Sequence, residues 1–460
     1  MTQEEKFVYM TEKPVEMLVG KLAVPTVISM LVTSFYNMVD TYFVGKINTS
    51  ASGAVGITFS LMAIIQAFGF MFGHGSGNYI SRKLGEQDTE EAARMANAGF
   101  AFAFAWGVIL AICGNIFLEP LARLLGSTET ILPYAKAYMG PILVGAPWVM
   151  TSFVLNNQIR YQGNAMTSMI GIVIGAIINI ALDPLLMFKF NMGIAGAAVA
   201  TIVSQLISFL LLLGATRFGG NIRITLKKNP FAWNLLPEII KGGFPSLCRQ
   251  GLASLSVTLL NTTAKNVAEL GYADATIAGM SIVSRIIMFA NSTVIGIGQG
   301  FQPVCGFNYG AGNYKRVKDA FAFCVKICCA FLIIVSIFGF VFAPDITAIF
   351  IKKDEVMVDT VISVGSFALR AQCISLVLSS WVVITNMLLQ ASGQALWASL
   401  IASCRQGICF IPVLFILSAL LGIRGVQISQ AVADVFSFGI SLVGGIMFLK
   451  KLGRMEKETA

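Results

Sequence analysis

The chain has 460 residues, of which 56% are hydrophobic and only 12% are charged. A soluble domain carries roughly 25% charged residues, so this chain has too few of them to cover a surface that faces water. The net charge of +9 would suggest nucleic acid as a partner of a soluble protein, but here the basic residues fall in short loops between apolar blocks. The composition therefore excludes a soluble protein and indicates an integral membrane protein.

The apolar residues come in long blocks, and about 20 such residues span a bilayer core about 30 Å thick. They do not show the alternating segments of about 10 residues that build a membrane barrel. The first ~20 residues carry both charge signs and no short apolar region, so no cleaved signal peptide is expected. We predict twelve helical spans, at residues 17–44, 53–80, 92–118, 131–157, 166–188, 194–216, 242–264, 276–304, 318–342, 358–390, 396–420 and 425–449.

The loops between these spans differ in their content of lysine and arginine. With both termini on one side of the membrane, that side collects 19 of these residues, against 8 on the other side. Cytoplasmic loops are enriched in lysine and arginine. We therefore predict a multi-pass protein of the inner (cytoplasmic) membrane with both termini in the cytoplasm.

The second part of the chain repeats the first. Four pairs of segments match in order, at offsets of 220, 225, 230 and 229 residues: KLAVP (21–25) with KGGFP (241–245), 73–88 with 298–313, QGNA (162–165) with SGQA (392–395), and MGIAGAAVAT (192–201) with LGIRGVQISQ (421–430). Six spans separate the equivalents, so the repeats are parallel and related by an axis along the membrane normal. We predict two pseudo-symmetric six-helix bundles, 1–216 and 242–460, around a central cleft, joined by a cytoplasmic linker at 217–241.

The acidic residues are nearly all outside the spans. Of 23 acidic residues only three lie well inside a span: Asp40, Asp183 and Asp434. An ionised carboxylate in hydrocarbon costs at least about 2.5 kcal/mol, so each of the three calls for a function or a partner. If the first and fifth spans pack together, Asp40 and Asp183 share one site, which is suited to a proton or to a sodium ion.

Several segments of the first half resemble those of the multidrug and toxic compound extrusion (MATE) family. They are Pro25, NMVDTYFVGK (37–46), GHGSGNYISRKLGEQD (73–88), NIALDPLLMF (179–188) and GIAGAAVAT (193–201), and the resemblance covers essentially the whole chain. The prokaryotic DinF-like branch of the family holds cation-coupling residues at places that correspond here to Asp40, Asn179, Asp183 and Thr201. The other bacterial branch has acidic coupling residues in spans seven and ten, which are absent here.

The resemblance implies a secondary active exporter that expels organic cations or aromatic drugs while protons or sodium ions enter. All the ligand atoms of Asp40, Asp183, Asn179 and Thr201 are oxygens, which suits a hard cation, and the choice between H⁺ and Na⁺ stays open. The alternative is a flippase for lipid-linked precursors from the same superfamily. A channel or receptor is a weaker alternative, because the chain has an internal repeat and no receptor domain.

Other residues of the first half belong to the same hypothesis. Pro25 and Pro184 remove backbone donors and can kink their helices. Aromatic and methionine side chains suit a pocket for varied aromatic cations, and the candidate substrate-binding residues are Phe35, Tyr36, Met38, Phe153 and Met187. His74 either relays protons or packs against a helix that the neighbouring glycines allow to approach, and we expect packing.

The second half is richer in basic residues. Arg285 lies at a depth comparable to that of Asp434 and is its predicted ion-pair partner, and Arg370 lies near mid-depth. Arg249, Lys326 and Arg405 lie closer to the cytoplasmic face, where they either snorkel or line a vestibule. This surplus leaves room for substrates with an anionic group.

Motifs for catalysis are missing from the sequence. There is no GxxxxGK[ST] phosphate-binding loop, no metal-ligand cluster and no nucleophile motif, and the nine cysteines have the character of small core residues. We therefore predict no enzymatic activity and no cofactor beyond the coupling ion. The expected partners are small-molecule drugs and membrane lipid, with no nucleic acid and no obligate protein partner.

Overall fold

A computed structural model describes residues 2–45, 47, 49–225, 230–267, 273–350 and 358–459. These residues are almost entirely helical, and no strand occurs among them, in agreement with the predicted fold class. The α-helices are α1 Gln3–Glu12, α2 Val15–Gly45, α3 Thr49–Gly85, α4 Thr89–Ile116, α5 Leu118–Leu124, α6 Leu132–Tyr161, α7 Ala165–Pro184, α8 Gly193–Ala215, α9 Leu236–Val267, α10 Ala273–Gly310, α11 Tyr314–Val341, α12 Ala343–Ile349, α13 Val358–Leu376, α14 Leu378–Ala391, α15 Ala395–Ser403, α16 Phe410–Leu421 and α17 Ile423–Thr459.

Each of the twelve predicted spans falls on one of these helices or on a consecutive pair. Ten helical segments of the described chain are long and apolar enough to cross a membrane, and α13 and α14 form an eleventh span that is bent by 53°. The predicted span 242–264 falls on α9, which is 32 residues long but is not apolar enough to be counted with them, because it carries Arg249 near its middle and several hydroxyl side chains. The short helices α5 and α12 follow α4 and α11 and lie outside the spans.

Two spans contain a π-helical segment, in which the backbone hydrogen bonds reach one residue further. The first, Leu185–Lys189, directly follows Pro184, and the amide of Phe190 donates to the carbonyl of Leu185 at 3.0 Å. The second, Cys404–Ile408, lies just before Pro412. A proline lacks the amide hydrogen that a regular helix uses for its backbone bonds. The π-helical turn beside each proline is wider than an α-helical turn. The residues that follow such a turn therefore lie on a different face of the helix than in an uninterrupted α-helix.

The first half of the molecule comprises α2–α8 and the second half comprises α9–α17. Both chain ends lie at the same end of the molecule, here called the terminus side: the guanidinium of Arg316 donates to the carbonyl of Lys13 at 2.5 Å, and Lys318 pairs with Glu456. The two halves pack through the terminus-side parts of α2, α3, α9 and α10.

Glycines allow this close approach between the halves. A Cβ atom on Gly243 would lie 1.9 Å from the carbonyl oxygen of Met71, and one on Gly75 would lie 2.0 Å from that of Ile239. Gly300 likewise meets the backbone of Ala23. The glycines around His74 therefore have the predicted role: they allow α3 to pack closely against α9.

Candidate functional site

Four helices of the first half carry the predicted cation-coupling residues and their neighbours. The side chains come from α2 (Tyr36 and Asp40), α7 (Asn179 and Asp183) and α8 (Thr201). α2 packs against α7, and α7 packs against α8. Asn179 and Asp183 are four residues apart and so share a helix face, which is turned toward Thr201. A fourth helix, α6, adds Tyr138, which is fully buried.

Hydrogen bonds join the side chains of this cluster into two sets, one at Asp40 and one at Asp183. The Tyr138 hydroxyl donates to Oδ2 of Asp40 at 3.2 Å. The amide of Asn179 donates to Oδ1 of Asp183 at 3.2 Å and to the hydroxyl oxygen of Thr201 at 3.4 Å. Asp183 is 0% exposed and Asn179 is 2% exposed, so the second set lies inside the helix bundle.

Three oxygen atoms of the cluster are buried and receive no hydrogen bond: Oδ1 of Asp40, Oδ2 of Asp183 and Oδ1 of Asn179. No described lysine or arginine forms an ion pair with either acid. A buried polar atom normally has a partner, because leaving it unpaired costs free energy. Unpaired oxygens of two carboxyl groups and an amide are the donor set that a hard cation binds, so the residues present fit a proton or a sodium ion.

Two adjoining cavities lie beside the cluster. The smaller is lined by Asp40, Tyr138 and Met62 among others, and the larger by Phe153, Asn179 and Gln205 among others. Both cavities are lined by Tyr36 and Thr201. The cluster therefore adjoins open space in the interior of the first half.

The candidate substrate-binding residues are placed differently from one another. Tyr36 and Phe153 line the larger cavity. Phe35 points away with 58% of its surface exposed, Met187 is 2% exposed, and Met38 does not line either described cavity. The structure thus brings two of the five to the interior space of the first half.

The predicted partner of Asp434 was wrong. Its carboxylate pairs with Arg405 at 3.1 Å and also accepts a hydrogen bond from Gln430 at 3.0 Å. Arg285 is exposed and forms no hydrogen bond or ion pair with a described residue. The π-helical segment that contains Arg405 directs this side chain into the second half, whereas the depth of a residue along its helix does not reveal which face it occupies.

Arg370 is exposed and lies over the Phe340 ring, 5.8 Å from its centroid, and its Nε donates to the Phe340 carbonyl at 3.2 Å. These contacts hold it on the outside of the second half. Pro25 lies within α2, and Pro184 ends α7 just before the first π-helical segment.

A second polar layer closes the terminus side between the halves. Arg160 is buried and donates to Gln299 and to Asn157, both at 2.5 Å. The Tyr161 hydroxyl donates to Gln302 at 2.7 Å, and Nδ1 of His74 is 3.0 Å from the hydroxyl of Ser246. Residues 156–161 end α6, and all of them are buried.

Sequence reasoning missed Tyr138 and Gln205. Tyr138 carries a hydroxyl deep in an otherwise apolar span, and a buried tyrosine needs a hydrogen-bond partner, so this was a usable signal. Gln205 lies four residues after Thr201 and shares its face, which was the signal in its case.

Known proteins resemble this chain over nearly its full length. The MatE family model matches residues 25–185 and again residues 252–416. The multidrug export protein MepA of Staphylococcus aureus (strain MRSA252) is 27% identical over 434 residues, which cover 94% of each chain. MepA of Staphylococcus haemolyticus (strain JCSC1435) is 28% identical over 442 residues, covering 94% of this chain and 93% of the relative.

Solved structures share the fold. An outward-facing multidrug resistance MATE family transporter of the MOP superfamily superposes with a TM-score of 0.90 at 24% identity, covering 97% of this chain and 98% of the other. A MOP superfamily transporter from Pyrococcus furiosus gives a TM-score of 0.89 with the same identity and coverage. With the family model matched in both halves of the sequence, the chain belongs to the MatE family of MATE transporters.

Proposed function

We propose that this protein is a secondary active multidrug exporter that expels organic cations or aromatic drugs in exchange for H⁺ or Na⁺. The observation that carries the proposal is the pair of acids Asp40 and Asp183, each of which has one buried oxygen without a donor. Asp40 lines the smaller cavity, and Asn179, which donates to Asp183, lines the larger. The related MepA proteins are named multidrug export proteins, which favours an exporter over a flippase.

The coupling follows from the cost of charge in the membrane. Two ionised carboxylates in a low-dielectric bundle repel each other, and binding of a cation removes this penalty. A bound cation therefore stabilises the arrangement of α2 and α7 in which the two acids lie close together. Release of the cation favours an arrangement in which the acids lie farther apart. A ligand shifts such an equilibrium only by its differential affinity for the two states, and these acids supply that difference.

The direction of transport depends on the orientation of the chain. The excess of lysine and arginine on the terminus side supports a cytoplasmic location of both termini in the bacterial inner membrane. In this orientation the packed terminus side is closed to the cytoplasm. Export then requires α3 and α9 to separate, admit the drug, and close again behind it. In this scheme the protein carries out no covalent chemistry.

We expect Asp40→Asn and Asp183→Asn to reduce gradient-driven export at least about tenfold, because an amide cannot exchange charge for a cation. The measurement is ethidium efflux from a drug-sensitive bacterium, with and without an uncoupler. Asp319→Asn is the matched control, since Asp319 is an exposed acid on α11. Undiminished export by the Asp40 variant, present in the membrane at normal abundance, would contradict the proposal.

A separate measurement identifies the ion. Efflux is followed at fixed pH with sodium present and with sodium replaced by choline. Loss of export without sodium assigns Na⁺ to the acid pair, and unchanged export that falls with an uncoupler assigns H⁺.

A further inference from the structure

We propose that α1 is a strap that holds the two halves together at the terminus side, and that it must release one half before the halves can part. The inference goes beyond the proposed function, because it concerns closure of the terminus side and holds for any drug and any coupling ion. The experiment that tests it therefore measures a distance between the halves and uses no transported molecule.

One face of α1 is bonded to the first half. Gln3, Lys6 and Met10 are spaced by three and four residues, so they share this face of the helix. Gln3 donates to the carbonyl of Gly220 at 2.7 Å. Lys6 donates to the same carbonyl at 2.9 Å and to the side-chain oxygen of Asn221 at 3.0 Å. Both acceptors lie in the segment that follows α8, so α1 is fixed to the end of the first half.

The bonded face of α1 is also its buried face. Lys6 is 4% exposed and Met10 is 1% exposed, whereas Val8 on the opposite face is 47% exposed. The sulfur of Met10 packs against Gly163 in the connection between α6 and α7, where an added Cβ atom would lie 3.3 Å from it. A helix of 10 residues is at best marginally stable by itself in water. These contacts are therefore needed to keep α1 helical and in place.

The second half caps the other end of α1. Asn308 of α10 donates to the carbonyl of Met10 at 3.0 Å, and Arg316 of α11 donates to the carbonyl of Lys13 at 2.5 Å. The last carbonyls of a helix lack partners within it, and the residue four positions after Met10 is Pro14, which has no amide hydrogen. Arg316 also donates to Oδ1 of Asn308 at 2.9 Å, so the two side chains form one cap. A cation at this end is favourable to the helix dipole.

A rigid helix cannot follow two halves that move apart. An α-helix rises 1.5 Å per residue, so only about 6 Å of helix separates Lys6 from Met10. When the terminus side opens, Gly220 moves with the first half and Asn308 moves with the second. α1 can then keep its bonds to only one of them. The bonds that it loses exist only in the closed arrangement and therefore stabilise that arrangement.

The segment before α9 crosses between the halves in the opposite direction. At the repeat offset of 220 residues, α1 corresponds to residues 223–232 of the linker. The linker leads into the second half but is bonded to the first, where the amide of Thr225 donates to the side chain of Asn97 at 2.6 Å. α1 leads into the first half and is capped by the second. The two crossing segments meet where Lys6 bonds to Gly220, so release of α1 also frees the linker from this contact.

The test measures the distance between the halves when α1 is dislodged. Spin labels on Glu90→Cys of α4 and Lys451→Cys of α17, both exposed, report this distance by pulsed electron paramagnetic resonance. The measurement uses the full chain in liposomes, with the nine native cysteines replaced by serine. Met10→Glu places a charge in the buried face and should release α1. We expect the ratio of separated to packed halves to rise about tenfold.

Val8→Glu is the matched control, because it adds the same charge to the exposed face of the same helix. It should leave the distribution of distances unchanged. An unchanged distribution in Met10→Glu would overturn the proposal, as would an equal shift in both variants.

A second variant decides the question if Met10→Glu does not reach the membrane. Gln3→Ala/Lys6→Ala removes only bonds of α1 and alters no membrane span. It should raise the ratio of separated to packed halves several-fold, and a ratio equal to that of wild type would contradict the proposal. If wild-type protein exports no drug, the export function fails but the distances still report whether α1 holds the halves together.

Discussion

Asp183 and Asp434 are the same residue type at similar burial, but their surroundings are opposite. Asp434 accepts hydrogen bonds from Arg405 and Gln430. Asp183 accepts one from Asn179 and keeps its other oxygen unpaired. A guanidinium partner already balances the charge of its carboxylate, whereas a carboxylate without such a partner is free to bind a small cation. The difference supports coupling in the first half and a structural role for Asp434 in the second.

The structural role of Asp434 can be tested through stability. Removing one member of a buried ion pair leaves an uncompensated charge and costs about 3–5 kcal/mol. We therefore expect Arg405→Gln to lower the thermal stability of the detergent-solubilised protein by several degrees. The double variant Arg405→Met/Asp434→Leu should recover most of this loss, because it leaves no unpaired charge.

An exposed pair is the control for that experiment. Lys136 and Glu119 are 3.0 Å apart with side chains about half exposed, and such pairs contribute about 0–1 kcal/mol. Lys136→Gln should therefore hardly change the melting temperature. A double variant at Arg405 and Asp434 that is as unstable as Arg405→Gln would show that the pair does more than balance charge.

The grouping of the candidate cation-coupling residues could be predicted to the extent that their chemistry is visible in the sequence. A carboxylate in an apolar span is costly wherever the span packs, and the resemblance to MATE proteins added Asn179 and Thr201. The partner of Asp434 was not predictable, because the π-helical segment at Cys404–Ile408 changes the direction of Arg405. The pattern of apolar and polar residues does not reveal where a helix forms a π-helical turn.

At the scale of elements, α1 was not predicted as a helix, yet it is docked at the terminus side. Lys6 donates to the carbonyl of Gly220 at 2.9 Å and to the side chain of Asn221 at 3.0 Å. Met10 is 1% exposed, and its carbonyl accepts from Asn308 of α10 at 3.0 Å. The helix thus bonds to the segment after α8 and to the second half. Its short, mixed sequence has no apolar face that would predict this.

Docking of α1 should depend on pH through Lys6. Burial lowers the pKa of the Lys6 ammonium from 10.5 to about 8. The undocked state therefore binds more protons between about pH 8 and pH 10.5, so docking becomes more favourable as pH rises through this window. We expect wild-type protein to gain a few degrees of melting temperature relative to Lys6→Met between pH 7.5 and pH 9.5.

Lys13 provides the comparison for the pH experiment, because its side chain is exposed. The melting temperature of Lys13→Met should follow that of wild-type protein at both pH values. If Lys6→Met shows the same pH profile as wild type, burial of this lysine does not influence the docking of α1.

At the scale of the whole molecule, the repeat gives both halves the same helices but different interiors. Gln205 lines a cavity in the first half, while Asp434 occupies the equivalent position in the second and pairs with Arg405. The number and order of the spans could be predicted, because hydropathy and the repeat specify them. The closure of the terminus side could not be predicted, because hydropathy and the repeat do not specify how the two halves pack against each other.

The packing of the halves leads to a prediction about closure. A Cβ atom on Gly243 would collide with the Met71 backbone at 1.9 Å, so Gly243→Ala should favour separation of α3 and α9. We expect maleimide labelling of Cys305, which is buried at 0% exposure, to increase several-fold in a variant that lacks the other eight cysteines. Gly251→Ala on the same helix is the control, because a Cβ there meets nothing within 4 Å. Equal labelling of the two variants would contradict this account of closure.

The halves are joined by glycine contacts and by bonds from guanidinium, amide and hydroxyl groups, and every ion pair between described residues lies within one half. Dissolved electrolyte weakens attraction between opposite charges much more than it weakens close packing or neutral hydrogen bonds. The free energy needed to part the halves should therefore be nearly constant over a wide range of ionic strength. A change in the salt concentration of the surroundings would therefore leave the balance between packed and separated halves nearly unchanged.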